Sequence, residues 1–314
     1  MVEQRRRAVL GYTGLVLFLI ASCYALYNCG SAAASKVAVF VIAHQDDETL
    51  SMGAAIVGDC NAGYKVYVLL CTDGGASGVW DPNEMSHDAF CKARYAELVG
   101  ASRALGAVEV MRVRASGPSV GWGGLFKDSS LNLGVVKKDG AASAGYYGND
   151  LGPAYSHVNE ALCGSVEASL KSIAADNGIQ TQQLRVGASC HMDEHPDHRA
   201  VCQAVLQLYS ERIVSDVRLY LGPGQWAGSA VYAGTTFPGA RELGVTTITP
   251  EDSLNRLDAA IACYMPAGTL IRAYRPVCGE SKYGIGYRSV ESSFDSLHAD
   301  KCSYRCALPT IKMD

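Results

Sequence analysis

The sequence lacks a dominant charge. Its 27 Lys and Arg against 31 Asp and Glu leave a formal net charge of -4, so no basic field exists to hold a nucleic-acid backbone, and nucleic acid is excluded as the expected partner. No Cys-x-x-Cys pair occurs among the 12 cysteines, which removes zinc ribbons and thioredoxin-type sites. No Gly-x-Gly-x-x-Gly opens the first helical stretch, so the phosphate cradle of a nucleotide-binding Rossmann protein is missing. The chain also has no Asn-x-Ser/Thr acceptor, which counts against a glycosylated ectodomain, and neither an internal repeat nor a low-complexity tract.

What is present fits one globular domain of generous size with an appended segment: 48% of the 314 residues are hydrophobic and 18% charged. The appended segment is N-terminal. MVEQRRR precedes AVLGYTGLVLFLIASCYALY, residues 8–27, a run of about 20 uncharged residues that would cross roughly 30 Å of hydrocarbon as a helix. It reads as a retained membrane anchor or, given the small residues GSAAAS just after it, as a cleaved secretory signal; lipidation at Cys23 is a third option. Arg5, Arg6 and Arg7 before the run, against Lys36 after it, put the N-terminus in the cytoplasm. The rest of the chain is then extracytoplasmic or lumenal, or secreted if the segment is removed. Residues 1–35 are thus expected as anchor or signal, and residues 36–314 as the working domain, with a core at 36–222 and a variable part at 223–314.

From Lys36 onward strands alternate with helices. KVAVFVIAH and KVYVLLCTDGG are continuous apolar runs, with TLSMGAAIVGDCNAG between them as one helix closed by glycine. A long helix over MSHDAFCKARYAELVGASRALGA leads to a third strand at VEVMRVRA. A helix near 157–176, a strand at LRVGASCH, a helix from HPDHRAVCQAVLQLYSERI and a strand at VRLYLG follow. That alternation predicts an α/β fold, a Rossmann-like three-layer sandwich with a mostly parallel sheet. Residues 116–152, rich in glycine and turns, form a long loop of the kind that carries function. Cys263, Cys278, Cys302 and Cys306 are candidates for pairing in an oxidising compartment, whereas Cys60, Cys71, Cys91, Cys163, Cys190 and Cys202 read as buried thiols.

Ligands of an open parallel sheet gather beyond the carboxyl ends of its strands. Three polar clusters fall there: His44-Gln45-Asp46-Asp47-Glu48, Thr72-Asp73-Gly74-Gly75, and His191 to His198 in HMDEHPDHR. Pro196 suits a first helical turn, which places His195 and His198 near the strand ends. Imidazole and carboxylate donors together suit Zn²⁺, and His44, Asp47 and His198 can supply the three protein ligands of a catalytic site. Asp46, beside a ligand but free of the metal, would take a proton as general base.

AHQDDE and HPDH resemble the paired motifs of the LmbE/PIG-L zinc de-N-acetylases, whose first motif is usually AHPDDE and whose second is HxxH. The likeness covers roughly residues 36–222 and includes TDGGASG and RYAELVGASRALGA. It implies His44, Asp47 and His198 as metal ligands, with Zn²⁺ or another divalent ion such as Fe²⁺. It also implies Asp46 as general base and His195 as the group that stabilises the oxyanion or protonates the leaving amine. Asp197 is expected to orient and charge His195. Arg94, in RxxE, matches the position that holds sugar hydroxyls, and Asp73 is a further substrate-binding candidate. The implied substrate is an N-acetylglucosaminyl small molecule or glycolipid, deacetylated by metal-activated water. The alternatives are an amidase for a larger N-acyl amino sugar and an inactive carbohydrate-binding relative.

Gln45 departs from the usual Pro, which should loosen the turn without removing a ligand. Glu48 is expected as a hydrogen-bond partner behind the ligands. His191, His87, His157 and His298 read as ordinary histidines. Asp128 in FKDSS, Trp122 and Tyr146-Tyr147 are weaker candidates for sugar contacts from the long loop.

Overall fold

The computed structural model describes residues 35–77, 80, 82–83, 85–128, 131, 159–191, 193, 195–223, 245–247, 251–264, 291–299, 301–306 and 308–309. Apart from Ser35 these belong to one unit, Lys36–Asp314. The expected membrane segment at residues 8–27 lies outside the described residues, among which no helix is long and apolar enough to cross a membrane.

A mixed α/β sheet organises the described chain. Strands β1 (Val37–Ile42), β2 (Lys65–Leu70), β3 (Glu109–Arg112), β4 (Arg185–Ser189) and β5 (Asp216–Tyr220) are parallel, in the spatial order β3-β2-β1-β4-β5. β7 (Cys302–Cys306) adds antiparallel to β5, and β6 (Val245–Thr247) antiparallel to β7. The two antiparallel strands come from the C-terminal part, where the sequence shows only short strand-like pieces.

β1 explains the logic of the rest. All six residues of VAVFVI are buried, as a strand covered on both faces requires, and each large one contributes roughly 1.5–3 kcal/mol by leaving water. Its partners are in register, Val37 with Lys65 and Ile42 with Leu70 on one side, Ala38 with Arg185 on the other. Gly187 of β4 is small because Phe40 of β1 lies over it: a Cβ there would stand 2.7 Å from Phe40 Cδ1.

The expected single helix after β1 is two. α1 (Asp47–Leu50) begins inside the acidic cluster, and α2 (Gly53–Asn61) begins after a break at Ser51 and Met52. α6 (Glu251–Cys263) packs against α2 at the break, with Leu257 Cδ1 2.7 Å from where a Cβ of Gly53 would sit. α3 (His87–Leu105) is bounded by its caps: Ser86 Oγ accepts from Ala89 N, and Gly106 takes φ 104° beyond the last turn. α4 (Glu160–Asp176) packs on α5 (Pro196–Ser210), and α7 (Glu291–Ala299) precedes β7. The chain steps from β1 to β2 to β3 in one direction and from β4 to β5 in the other, so right-handed crossovers send their helices to opposite faces. The reversal falls between β1 and β4, where ligands of such sheets bind.

No disulfide joins the described cysteines. Of the four pairing candidates, Cys278 lies outside the described residues. Cys306 Sγ instead meets Cys190 Sγ at 2.8 Å, a contact between β7 and the end of β4.

Candidate metal centre and active site

The strand order brings the first and third polar clusters together, since β1 and β4 are neighbours, and β2 lays the second cluster alongside. Backbone geometry then aims the side chains. Asp46 caps α1 with φ 142°, one of two described non-glycine residues with positive φ, a conformation costing about 1–3 kcal/mol and met mostly at functional sites. Its carboxylate makes no capping hydrogen bond. Asp47 Oδ2 accepts from Ala43 N and His44 N, which folds the carboxylate back over the end of β1.

Three donor atoms converge. His44 Nδ1 lies 3.0 Å from His198 Nε2, and His198 Nε2 lies 3.0 Å from Asp47 Oδ1; His44 Nδ1 is 3.9 Å from Asp47 Oδ2. Donors at about 2.0–2.2 Å from a tetrahedral zinc stand roughly 3.4 Å from one another. The trio therefore fits a divalent cation of that kind, in spacing and in chemistry.

The outer ring nitrogens are held too. His198 Nδ1 is 3.0 Å from Asp193 Oδ1, while His44 Nε2 is 3.1 Å from Asp128 Oδ1 and 3.4 Å from Asp197 Oδ2. Carboxylates at those positions keep the outer nitrogens protonated and leave His44 Nδ1 and His198 Nε2 to face the cation. Asp193 has no expected role from the sequence, and Asp128 stands here behind a ligand where a sugar contact is expected. Their signal was composition alone, a carboxylate near a histidine motif and another in a distant loop. Arg199 Nη1 donates to Asp193 O and fixes the loop that carries it.

Charge follows from this packing. Burial opposes a charged His44, but Asp128 and Asp197 prevail and raise its pKa to about 9. His198 is also raised, by Asp193 and Asp47 against the cost of burial. Asp47 is held well below the usual carboxylate range by the two imidazoles, despite its burial. Asp46 goes the other way: burial first, and then the Asp47 charge, lift it to about 7, a value suited to a base near neutral pH.

His195 caps α5, and its Nδ1 accepts from the backbone N of Asp197 at 3.2 Å. Nε2 therefore carries the ring proton. Burial and the neighbouring His44 and His198 lower its pKa to about 4, so it is a neutral donor. This corrects the expectation that Asp197 would charge His195 through its carboxylate. The contact to His195 is a backbone N–H, while the Asp197 carboxylate meets His44 and accepts from Leu131 N. The His195 ring sits edge-on to His44, with centroids 4.4 Å apart, so it adjoins the same centre.

Arg94 and Asp73 are buried and bonded to backbone. Arg94 Nη1 donates to Gly74 O and Nη2 to Gln45 O. Asp73 Oδ1 accepts from Gly75 N and Asp128 N, and Oδ2 from Trp122 N. These bonds order the loops, and Asp73 sets the position of Asp128. Gln45 does not loosen its turn: its Nε2 donates to Asp73 O, tying the first cluster to the second. Glu48 lies behind the ligands as expected, its Oε2 accepting from Asp46 N.

Trp122 packs on Tyr95 and Arg112, and His87 on Trp80. His298 stands 3.8 Å from Asp258, and the buried His191 adjoins the Cys190 thiol. His157 and Tyr146-Tyr147 lie outside the described residues, as does most of the 116–152 loop.

The family described as "PIG-L: GlcNAc-PI de-N-acetylase" matches residues 39–209, more than half of the chain. No curated protein matches it. Among solved structures, the zinc-inhibited form of the teicoplanin deacetylase Orf2 is 20% identical, covering 86% of this chain and 96% of its own, with a TM-score of 0.47. The A40926 pseudoaglycone deacetylase Dbv21 is 15% identical, covering 89% and 100%, with a TM-score of 0.47. The N,N'-diacetylchitobiose deacetylase from Pyrococcus horikoshii is 14% identical, covering 77% and 75%, with a TM-score of 0.41. With AHQDDE and HPDH both inside the matched span and their side chains meeting at one point, the chain belongs to the PIG-L (LmbE) family and is an N-deacetylase.

Proposed function

We propose that the chain is a zinc-dependent hydrolase that removes the N-acetyl group from an N-acetylglucosamine-type conjugate. The observation that carries this reading is the convergence of His44 Nδ1, His198 Nε2 and the Asp47 carboxylate, each oriented from behind, beside an Asp46 whose carboxylate is not used as a cap.

His44, Asp47 and His198 would hold a zinc ion, which would supply the Lewis acidity that makes water nucleophilic near neutral pH. Asp46 takes one proton from the attacking water as the new C–O bond forms. His195 donates its Nε2–H to the oxygen that becomes negative, as a neutral hydrogen-bond donor. Asp46 then passes its proton to the sugar nitrogen as the C–N bond breaks, leaving a free amine and acetic acid, whose remaining proton passes to the amine or to solvent to give acetate. The proton count closes without charging His195, which its lowered pKa disfavours.

The uncharged residues 8–27 anchor the chain to a membrane in this reading, with Arg5, Arg6 and Arg7 in the cytoplasm and residues 36–314 outside it. Protease protection tests the orientation: digestion of the domain from the cytosolic face alone would reverse it, and an intact mass lacking residues 1–35 would replace the anchor by a cleaved signal.

The reaction is tested on the full chain by metal content and acetate release over a panel of N-acetylglucosaminides with different aglycones. One zinc per chain and acetate formation that disappears in Asp46→Asn support the reading. A chain that takes up zinc yet releases acetate from none of the panel would overturn it.

A further inference from the structure

The chemistry above needs Asp46 in a backbone conformation that an L-residue rarely adopts, and something must hold it there. The φ of 142° at Asp46 precedes only a four-residue helix, α1, too short to impose the geometry. What meets the Asp46 amide is Glu48, whose Oε2 accepts from Asp46 N at 3.2 Å. The same carboxylate is gripped at its other oxygen. Thr49 Oγ1 and Tyr264 Oη both donate to Glu48 Oε1, each at 2.5 Å. Thr49 is the next residue in the chain and moves with Glu48. Tyr264 arrives from 216 positions away, at the end of α6, and is fully buried, with its ring 5.4 Å from Phe294 of α7. It is an anchor from outside the segment it holds.

We propose that Tyr264 is a positioning residue for deacetylation, fixing the Glu48 carboxylate so that Glu48 in turn pins the strained Asp46 backbone and aims the base. This rests on the deacetylase reading for the role of Asp46. It gives the C-terminal part of the chain a function in the chemistry, beyond completing the sheet. Residues 39–209 hold all the ligands and the base, yet the conformation of that base depends on a hydroxyl outside them. Tyr264 acts on the base through Glu48, which its hydroxyl holds at one carboxyl oxygen while the other meets the Asp46 amide.

The test uses the full chain and Tyr264→Phe, which keeps the ring in its pocket and deletes only the hydroxyl. Hydrogen exchange followed by mass spectrometry on the metal-free proteins is the first measurement. The expected result is faster exchange in the peptide covering residues 43–50, with β1 and β2 unchanged. Equal exchange in both proteins, or acceleration spread evenly over the sheet, overturns the proposal, the second because it marks general destabilisation.

Steady-state kinetics of the zinc-loaded proteins are the second measurement. Here kcat should fall by roughly tenfold, the loss that follows removal of one buried hydrogen bond, with KM within twofold and zinc content unchanged. Glu48→Gln and the double variant complete a cycle, and strongly non-additive losses in kcat are expected because the two residues act in series. Additive losses, or a kcat equal to that of the unaltered chain, overturn the proposal. If the unaltered chain itself releases no acetate, the deacetylase reading falls separately, and the exchange result alone decides whether Tyr264 holds the Asp46 backbone.

Discussion

His198 Nε2 stands 3.0 Å from Asp47 Oδ1, although the two residues are contributed by different strand ends 151 positions apart in sequence. The distance is that between two ligands of one small cation, and the Asp193 carboxylate 3.0 Å behind the ring fixes which nitrogen faces it. The arrangement leads to expectations for the ligands, their supports, the base and the loop.

Asp193→Asn keeps the shape of the supporting residue and removes its charge. Zinc affinity should weaken by roughly 10- to 100-fold, the usual cost of altering a partner behind a metal-bound imidazole, while His198→Ala should abolish stoichiometric binding. Competition titration with a chromophoric chelator measures both. Unchanged affinity in Asp193→Asn would remove that residue from the centre.

Asp46→Asn leaves the three ligands in place and removes the base. Zinc should bind as before and kcat should fall by roughly 10²- to 10⁴-fold, the range for general-base catalysis. In the unaltered chain, kcat should rise with pH along a limb at or below about 7, because burial and Asp47 lift Asp46 to about 7 and a bound cation pulls it lower. A profile that is flat between pH 5 and 8 would assign the base elsewhere.

The metal-free protein should lose stability as pH rises from about 6.5 to about 9. His44 is raised in the folded state from 6.5 to about 9, so its contribution is fully present below 6.5 and is lost as pH rises through 9. Glu48, raised mainly by burial from 4.5 to about 8, acts with the same sign. His44 alone is worth roughly 3 kcal/mol over that window, readable as a falling denaturant midpoint. Zinc reverses the trend, since its ligands bind it deprotonated and uptake near pH 7 must release protons. Calorimetric titration in buffers of different ionisation enthalpy detects that release, and a buffer-independent heat would contradict it.

Gly74→Ala should damage the site without touching a ligand. Gly74 has φ 65°, and a Cβ there would collide with the Gln45 side chain and with Arg94 Nη1, which bonds its carbonyl. A stability loss of about 1–3 kcal/mol is expected, together with reduced kcat, because the Gln45 carbonyl held by the same Arg94 immediately precedes Asp46. A variant with the original melting temperature and kcat would mean that the loop yields freely.

Much of this was legible in the sequence because the carriers are local. Apolar runs such as VAVFVI mark buried parallel strands, Ser86 and Gly106 mark the ends of α3, and Pro196 marks the start of α5. The ligand set His44, Asp47 and His198 was readable because two short motifs fall at strand ends that strand order makes neighbours. Asp73 and Arg94 stand out in the sequence as charged residues near a site motif, whereas their backbone bonds, three accepted by Asp73 and two donated by Arg94, exist only in the folded chain.

The sequence by itself determined the alternation of strands and helices from β1 to β5, the residue types at the centre and the reaction those types can perform. These follow from periodicity and from short motifs, which are properties of neighbouring residues. Tertiary structure alone decided that the Asp197 carboxylate turns to His44, that His195 is a neutral donor, that Asp128 and Asp193 stand behind the ligands, and that Tyr264 reaches Glu48. Each is a contact between residues whose separation in sequence, or whose side-chain rotation, leaves no periodic trace. Protonation depends on burial and on charges brought in from other elements, and both exist only once the sheet has closed its packing around them.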